Sequence, residues 1–369
     1  MDPAPVPLSA LVNALRQAGL VGLTDTVAEL SRVVGRQVET ISLQVSNGCN
    51  IWVERLVEER QWDQAAQVEH ALRSQPQIAD LAGEIRPVLP VEVAAGLYAF
   101  PIPVRADLVV DSLLQRLLGA PGHGPCLPWF PLLCGGMGAY LRTLHELPLA
   151  PSLPRDLPSQ NHVIATVRQS LTRAEVGSGS PALCALAKQV ASLPRLHKHL
   201  VAALDRVATG TNHVLVHGRF SPAYALRPAI GVGDDPARLA AYVFGWLEAT
   251  FAPPSYDVGY FIGELVEFVD VAREVADEEV ERQCRAAARA FYVAYVTRAT
   301  GTLPSDFPEQ VASCAALKIV EHAIRFTSLY GEGGTATHRL LSVADALLDP
   351  EQELAQSLLG EARGRTNVI

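Results

Sequence analysis

The sequence predicts an α+β protein of two lobes, a small one that contains strands and a larger one that is mainly helical. Three observations predict it. The chain has 369 residues, about twice the length of one ordinary domain. Alternation of apolar and polar residues is concentrated between Gln37 and Ile102, whereas helical spacing dominates beyond Asp111. A strand-loop-strand stretch from Asn212 to Gly245 interrupts the helical part. The boundary therefore falls at Asp111, giving segments 1–111 and 112–369.

Composition narrows the class of function. Apolar residues make up 49 % and charged residues 19 %, which excludes wholesale disorder. Thirty basic residues against 39 acidic ones give a net charge of −9, so no broad phosphate-neutralising surface for nucleic acid is expected, and a basic partner fits better. The six cysteines are scattered without a CxxC pair, which fits a reducing cytoplasm and neither a zinc knuckle nor a disulfide framework. Met1-Asp2-Pro3-Ala4-Pro5 lacks the basic start of a secretory signal, and no uncharged apolar run is long enough to span a bilayer. A cytoplasmic protein without membrane contact is the expectation.

The elements follow in order. Leu8, Leu11, Val12 and Leu15 predict a helix from Leu8 to Gly19, and a second helix is expected from Thr26 to Val34 before Gly35. Gln37–Val45 and Ile51–Val57 alternate as strands around a turn, Ser46-Asn47-Gly48-Cys49-Asn50. Gln61–Ser74 reads as a helix with Ala65, Val68, Ala71 and Leu72 on one face and Glu69 in its middle. Prolines punctuate the next stretch, where Val91–Ile102 supplies further strands. Helices are then expected over Pro128–Leu147, Asn161–Arg173 and Pro181–Val207, with two more between Tyr256 and Thr300. In the second of those, Val280, Cys284, Ala287, Phe291 and Tyr295 keep a helical stripe. Asn212–Val216 and Ala240–Gly245 read as buried strands.

Within this layout three ordered segments carry a family resemblance. His217-Gly218-Arg219-Phe220-Ser221-Pro222-Ala223-Tyr224-Ala225-Leu226 resembles the catalytic loop of aminoglycoside phosphotransferase-like kinases, which reads H-G-D-x-x-x-x-N-x-L. Val243 to Glu248 and Ser255 to Gly259 resemble the metal-binding I-D-W-E and the following Y-D-L-G. Gly138 to His145 resembles the L-G-x-x-L-A-x-L-H helix. The resemblance implies a two-lobed, protein-kinase-like fold, and it implies that Asp257 holds the backbone of the catalytic loop.

The departures bear on activity. The place of the catalytic aspartate is taken by Arg219, whose guanidinium stays protonated and offers no lone pair to a substrate proton or to magnesium. Tyr224 stands where the family has a metal-binding asparagine, and Gly245 where it has a metal-binding aspartate. The first lysine is Lys188, so the phosphate-steadying lysine is missing; Glu54 or Arg55 takes its place, and Glu69 loses the usual partner of its helix. The hairpin at Gly48 carries one glycine and does not resemble a phosphate clamp. Four absences in one catalytic unit predict a pseudokinase without metal or cofactor. Arg219 then needs a counter-ion, with Asp257 and Glu248 as candidates.

Other reactive side chains have plainer readings. His217 and His145 are expected to pack as structural histidines, and His213 and His217 flank a strand rather than a zinc-binding helical turn. Cys134 reads as a buried thiol, Ser221 lacks a nucleophile elbow, and Gly331-Glu332-Gly333-Gly334 lacks the lysine of a phosphate loop. Asp277-Glu278-Glu279 reads as a helix start.

The layout and the Ser46–Trp52 turn, S-N-x-x-N-x-W, are also similar to kinase-like subunits of class V lanthipeptide synthetases. In those, a kinase-like component phosphorylates serine or threonine of a precursor peptide and a lyase removes the phosphate. That resemblance implies a scaffold or peptide-binding subunit whose partners are a kinase-like subunit, a lyase and a precursor peptide. Two alternatives remain: an active phosphotransferase with relocated ligands at Glu248, Asp257 and Glu264, or a protein that sequesters a polycationic small molecule such as an aminoglycoside.

Overall fold

The computed structural model describes residues 5–34, 38–57, 62–79, 85–102, 106–109, 129–147, 164, 167–171, 180–209, 212–228, 241–298, 301–330 and 334–359. The chain divides into two compact units. The first comprises Met1–Val110, Leu147–Pro158 and Ala223–Ala249; the second comprises Asp111–Glu146, Ser159–Pro222 and Thr250–Ile369. This division differs from a single break at residue 111 in that residues 147–158 and 223–249 go with the first unit.

In the first unit a five-stranded antiparallel sheet has the order β1-β2-β3-β6-β5. Its strands are β1 (Val27–Val34), β2 (Val38–Val45), β3 (Asn50–Leu56), β5 (Val91–Ala94) and β6 (Leu97–Ile102). Helix α1 (Leu8–Gln17) lays Leu11 and Leu15 against Ile41, Leu43, Ile51, Val53, Leu97 and Ala99, which is the buried core of one sheet face. The turn between β2 and β3 forms as the sequence predicts, with Gly48 at φ 91° and the Asn47 side chain accepting from the Cys49 amide. Helix α2 (Trp62–Arg73) and the short α3 (Pro76–Ala79) follow β3.

Residues Val27–Val34 are a strand, not the helix expected over Thr26–Val34. The register against β2 breaks between Glu29 and Ser31, so Leu30 is an extra, exposed residue that interrupts the two-residue alternation by which a strand is read. The sheet's first hairpin is therefore β1–β2, whose connection Gly35–Gln37 lies outside the described residues.

A second sheet of the first unit has the order β4-β10-β9-β7, from Ile85–Pro87, Ala241–Val243, Ala225–Pro228 and Ala106–Val109. The expected strand over Ala240–Gly245 thus exists as β10, but it pairs antiparallel with β9 and parallel with β4. It shares no sheet with the strand after Asn212. That strand, β8 (Val214–Val216), belongs to the second unit and pairs antiparallel with β11 (Thr250–Ala252).

Among its described residues the second unit's other regular elements are helices. Its helices are α4 (Trp129–His145), α5 (Pro181–Ala191), α6 (Pro194–Thr209), α7 (Ser255–Glu274), α8 (Glu278–Thr297), α9 (Phe307–Tyr330), α10 (Thr335–Leu347) and α11 (Glu353–Leu359). The single helix expected over Pro181–Val207 is two, because Pro194 cannot continue α5 and instead opens α6. The helix expected over Asn161–Arg173 lies largely outside the described residues. α7 and α8 are the two helices expected between Tyr256 and Thr300, and the stripe residues Val280, Cys284, Ala287, Phe291 and Tyr295 of α8 are all buried. Asp277 caps α8 by accepting from the Val280 amide at 3.1 Å, so the acidic run there starts a helix. No helix among the described residues is long and apolar enough to cross a membrane.

Candidate functional site

The loop after β8 is fixed from below by α7. Pairing of β11 with β8 brings the chain into α7 directly beneath the loop, and the first turn of α7 presents Asp257, which is fully buried. Its Oδ2 accepts the His217 amide at 2.6 Å and its Oδ1 accepts the Gly218 amide at 3.0 Å. Both are charge-assisted bonds in a dry environment, and Gly218 meets them with a left-handed backbone at φ 88°. His145, buried on α4, lies with Nε2 3.4 Å from Oδ2 of Asp257 and Nδ1 2.8 Å from the Tyr295 hydroxyl. The His217 ring is buried, its Nδ1 accepts the Arg219 amide at 3.3 Å, and its edge meets Phe220. Phe220 continues into a packed aromatic column with Tyr140, Phe261 and Phe291, the last two stacked at 3.9 Å. These contacts hold the loop as a rigid object.

Arg219 is half-buried, and its charge lies near the Tyr260 hydroxyl on α7. Burial pushes that hydroxyl's pKa up, Arg219 and Lys318 oppose the rise, and Glu321 and Glu264 add to it. Lys318 is a site residue that sequence reasoning missed. It is buried on α9 with Nζ 2.8 Å from Glu264 and 2.5 Å from Glu267. A signal was available: the chain has three lysines, and two carboxylates three residues apart on α7 face one of them.

In the first unit, Tyr224 and Gly245 come together. Tyr224 ends a short 3-10 turn (Pro222–Tyr224), its carbonyl accepts the Phe244 amide at 3.0 Å, and its ring packs on Phe244. Gly245 adopts φ 82°, a left-handed backbone that glycine alone takes at no cost. A β-carbon built on Gly245 would lie inside the Tyr224 ring. The tyrosine and the glycine are thus sterically complementary, and a side chain at 245 excludes the ring at 224.

Phe244 extends this cluster onto the sheet, packing against Trp52 at 4.9 Å and Phe100 at 6.1 Å. Glu54 lies on the same face of β3 as Trp52, buried, with the indole Nε1 3.4 Å from its Oε1. Arg55 faces the other way and bonds Glu39, a carboxylate that Arg32 also holds. Arg55 therefore does not share the Glu54 face, because alternation along the strand separates them. Glu69 pairs with Arg73 one turn along α2, at 2.8 Å.

The remaining candidates fall into structural roles. His213 lies within 3.3 Å of the Arg206 carbonyl, and Cys134 is buried with its thiol pKa pushed well up by desolvation. Among the described residues no group of three His, Cys, Asp or Glu side chains is placed to hold a metal ion. Glu264 is paired with Lys318, and Glu248 ends a 3-10 turn of the first unit (Trp246–Glu248).

No protein-family model matches the chain, and no curated protein matches its sequence. Its fold has solved counterparts. The Plasmodium vivax ethanolamine kinase is 10 % identical, with 91 % of this chain and 85 % of that one covered at a TM-score of 0.53. A choline/ethanolamine kinase family protein from Mesorhizobium loti is 13 % identical, with 96 % and 98 % covered at 0.53. A spectinomycin phosphotransferase solved with ADP and spectinomycin is 12 % identical, with 97 % and 100 % covered at 0.52. At these identities the likeness is one of fold: this chain has the α+β, kinase-like fold of aminoglycoside phosphotransferases and choline kinases.

Proposed function

We propose that this chain is a pseudokinase, a kinase-shaped protein that transfers no phosphate and serves as a scaffold or peptide-binding subunit of a larger complex. The observation that carries the reading is the Tyr224–Gly245 pair. By the family resemblance these positions should supply an amide and a carboxylate to magnesium; here a phenol ring fills the space that a side chain at 245 would need.

The rest of the donor set agrees. Arg219 brings positive charge to the catalytic-loop position. Both oxygens of Asp257 accept backbone amides, and Glu264 neutralises Lys318, so neither is a spare ligand for a relocated metal. Glu54 puts a carboxylate on the strand face where a phosphate-steadying lysine is expected, and a carboxylate repels a triphosphate. These residues do not fit a magnesium–nucleotide.

The biosynthetic setting rests on the Ser46–Trp52 turn and the layout: a complex that modifies a ribosomal precursor peptide, with a kinase-like subunit and a lyase as partners. Calorimetry with ATP and magnesium is expected to give no heat of binding, and co-purification with a precursor peptide or lyase is the positive arm. Metal-dependent nucleotide turnover that stops when Arg219 or Asp257 is replaced would overturn the reading.

A further inference from the structure

We infer that Tyr260, Glu264 and Glu267 of α7 form a binding site for a primary ammonium group, and that Lys318 of α9 is its built-in occupant. The three residues lie on one face of α7 at spacings of four and three. Gly259 and Gly263 on the same helix let α9 approach closely, since a β-carbon at either position would press on the α9 backbone at Val311 or Ala315. The Lys318 side chain therefore enters directly between the helices. Its Nζ lies 2.8 Å from Oε2 of Glu264, 2.5 Å from Oε2 of Glu267 and 5.9 Å from the Tyr260 ring centre.

This is the donor geometry of an ammonium cage: two carboxylate acceptors and an aromatic face around a cation with three N–H groups. Only 4 % of Lys318 is exposed, so the ammonium has exchanged its water for this shell. The two carboxylates outweigh desolvation and hold the amine protonated. Oε2 of Glu267 is shared with His322 at 2.9 Å, while its buried Oε1 accepts no hydrogen bond among the described residues, leaving the cage an acceptor that Lys318 does not use. Because the occupant is covalently attached, a free amine competes against a local cation that never diffuses away. Sequestering a polycation at these carboxylates would require Lys318 to leave first. The inference stands independently of whether the chain transfers phosphate.

The test removes the occupant. In Lys318→Ala the missing atoms match n-propylammonium. That ion is expected to raise the variant's melting temperature saturably, while isosteric n-propanol and sodium chloride at equal ionic strength do not. The wild type should not respond, and Glu267→Gln in the Lys318→Ala background should abolish the rescue. Absence of rescue in a folded variant, or equal rescue by n-propanol, overturns the inference. Should Lys318→Ala not fold, reductive methylation decides, because the chain has three lysines and Lys188 and Lys198 are exposed. Lys318 should be spared in the wild type and become reactive in Glu267→Gln. Reaction of Lys318 as fast as the other two, or no change in Glu267→Gln, rejects the cage.

Discussion

Two residues set the energetics of the candidate site at the smallest scale. Gly245 combines a left-handed backbone with a ring packed where its β-carbon would be. Gly245→Ala should therefore cost both the backbone strain, about 1–3 kcal/mol, and the overpacking, about 1–3 kcal/mol. In a Tyr224→Ala background only the strain should remain. A double-mutant cycle by urea unfolding checks this; a coupling below about 0.5 kcal/mol would mean that ring and glycine do not interlock. Asp257 makes a different prediction. Its two amide bonds at 2.6 and 3.0 Å are to a buried charge, and losing them in Asp257→Ala should destabilise the fold by about 3 kcal/mol or more. The family resemblance identified Asp257 from the four-residue Y-D-L-G pattern; the Tyr224–Gly245 fit could not be read that way, because complementarity of shape between residues 21 apart in sequence leaves no periodic trace.

At the scale of elements, the glycines of the family-like segments acquire a physical cause. Gly138 on α4 faces the backbone of Phe291 on α8, and Gly259 on α7 faces Cys314 and the Val311 carbonyl on α9. Gly259→Ala should cost about 2 kcal/mol through overpacking, whereas Gly19→Ala, with φ 73° and open space around it, should cost only about 1 kcal/mol of backbone strain; thermal unfolding of the two variants compares them. The same α7–α9 contact carries a pH signature. His322 lies 2.9 Å from Glu267, whose charge raises the imidazole pKa above its ordinary value. A raised folded-state pKa adds stability that is complete below the unfolded value of about 6.5 and is lost as pH rises through the folded value. His322→Gln should flatten stability against pH in that window, read by urea unfolding across neutrality; an unchanged slope would remove His322 from the account. Elements with long stripes, such as α8, were legible from spacing alone. The edge strand β1 was not, because its bulge interrupts the two-residue alternation, and β4, β7 and β11 are three or four residues long with partners more than thirty residues away.

At the scale of the whole molecule, the departures from a phosphotransferase are spread over the chain. Arg219 belongs to the second compact unit, Tyr224, Gly245 and Glu54 to the first, and no lysine occurs before Lys188. That distribution was legible, because an absent residue type is visible without any structure. It also predicts how reversion fails. Arg219→Asp, Tyr224→Asn and Gly245→Asp together restore three oxygen-bearing side chains and remove the ring that blocks position 245, so weak Mn²⁺ binding, read by calorimetry or electron paramagnetic resonance, is the expected gain. On the proposed reading a triphosphate still meets the carboxylate of Glu54, and catalysis by a unit is not recovered from some of its members. The triple variant should therefore hydrolyse ATP no faster than buffer, and adding Glu54→Lys should be the step that brings nucleotide affinity. Rapid turnover by the triple variant would show that the sheet of the first unit already supplies what a lysine normally does, and the whole chain would then be one substitution set away from an enzyme.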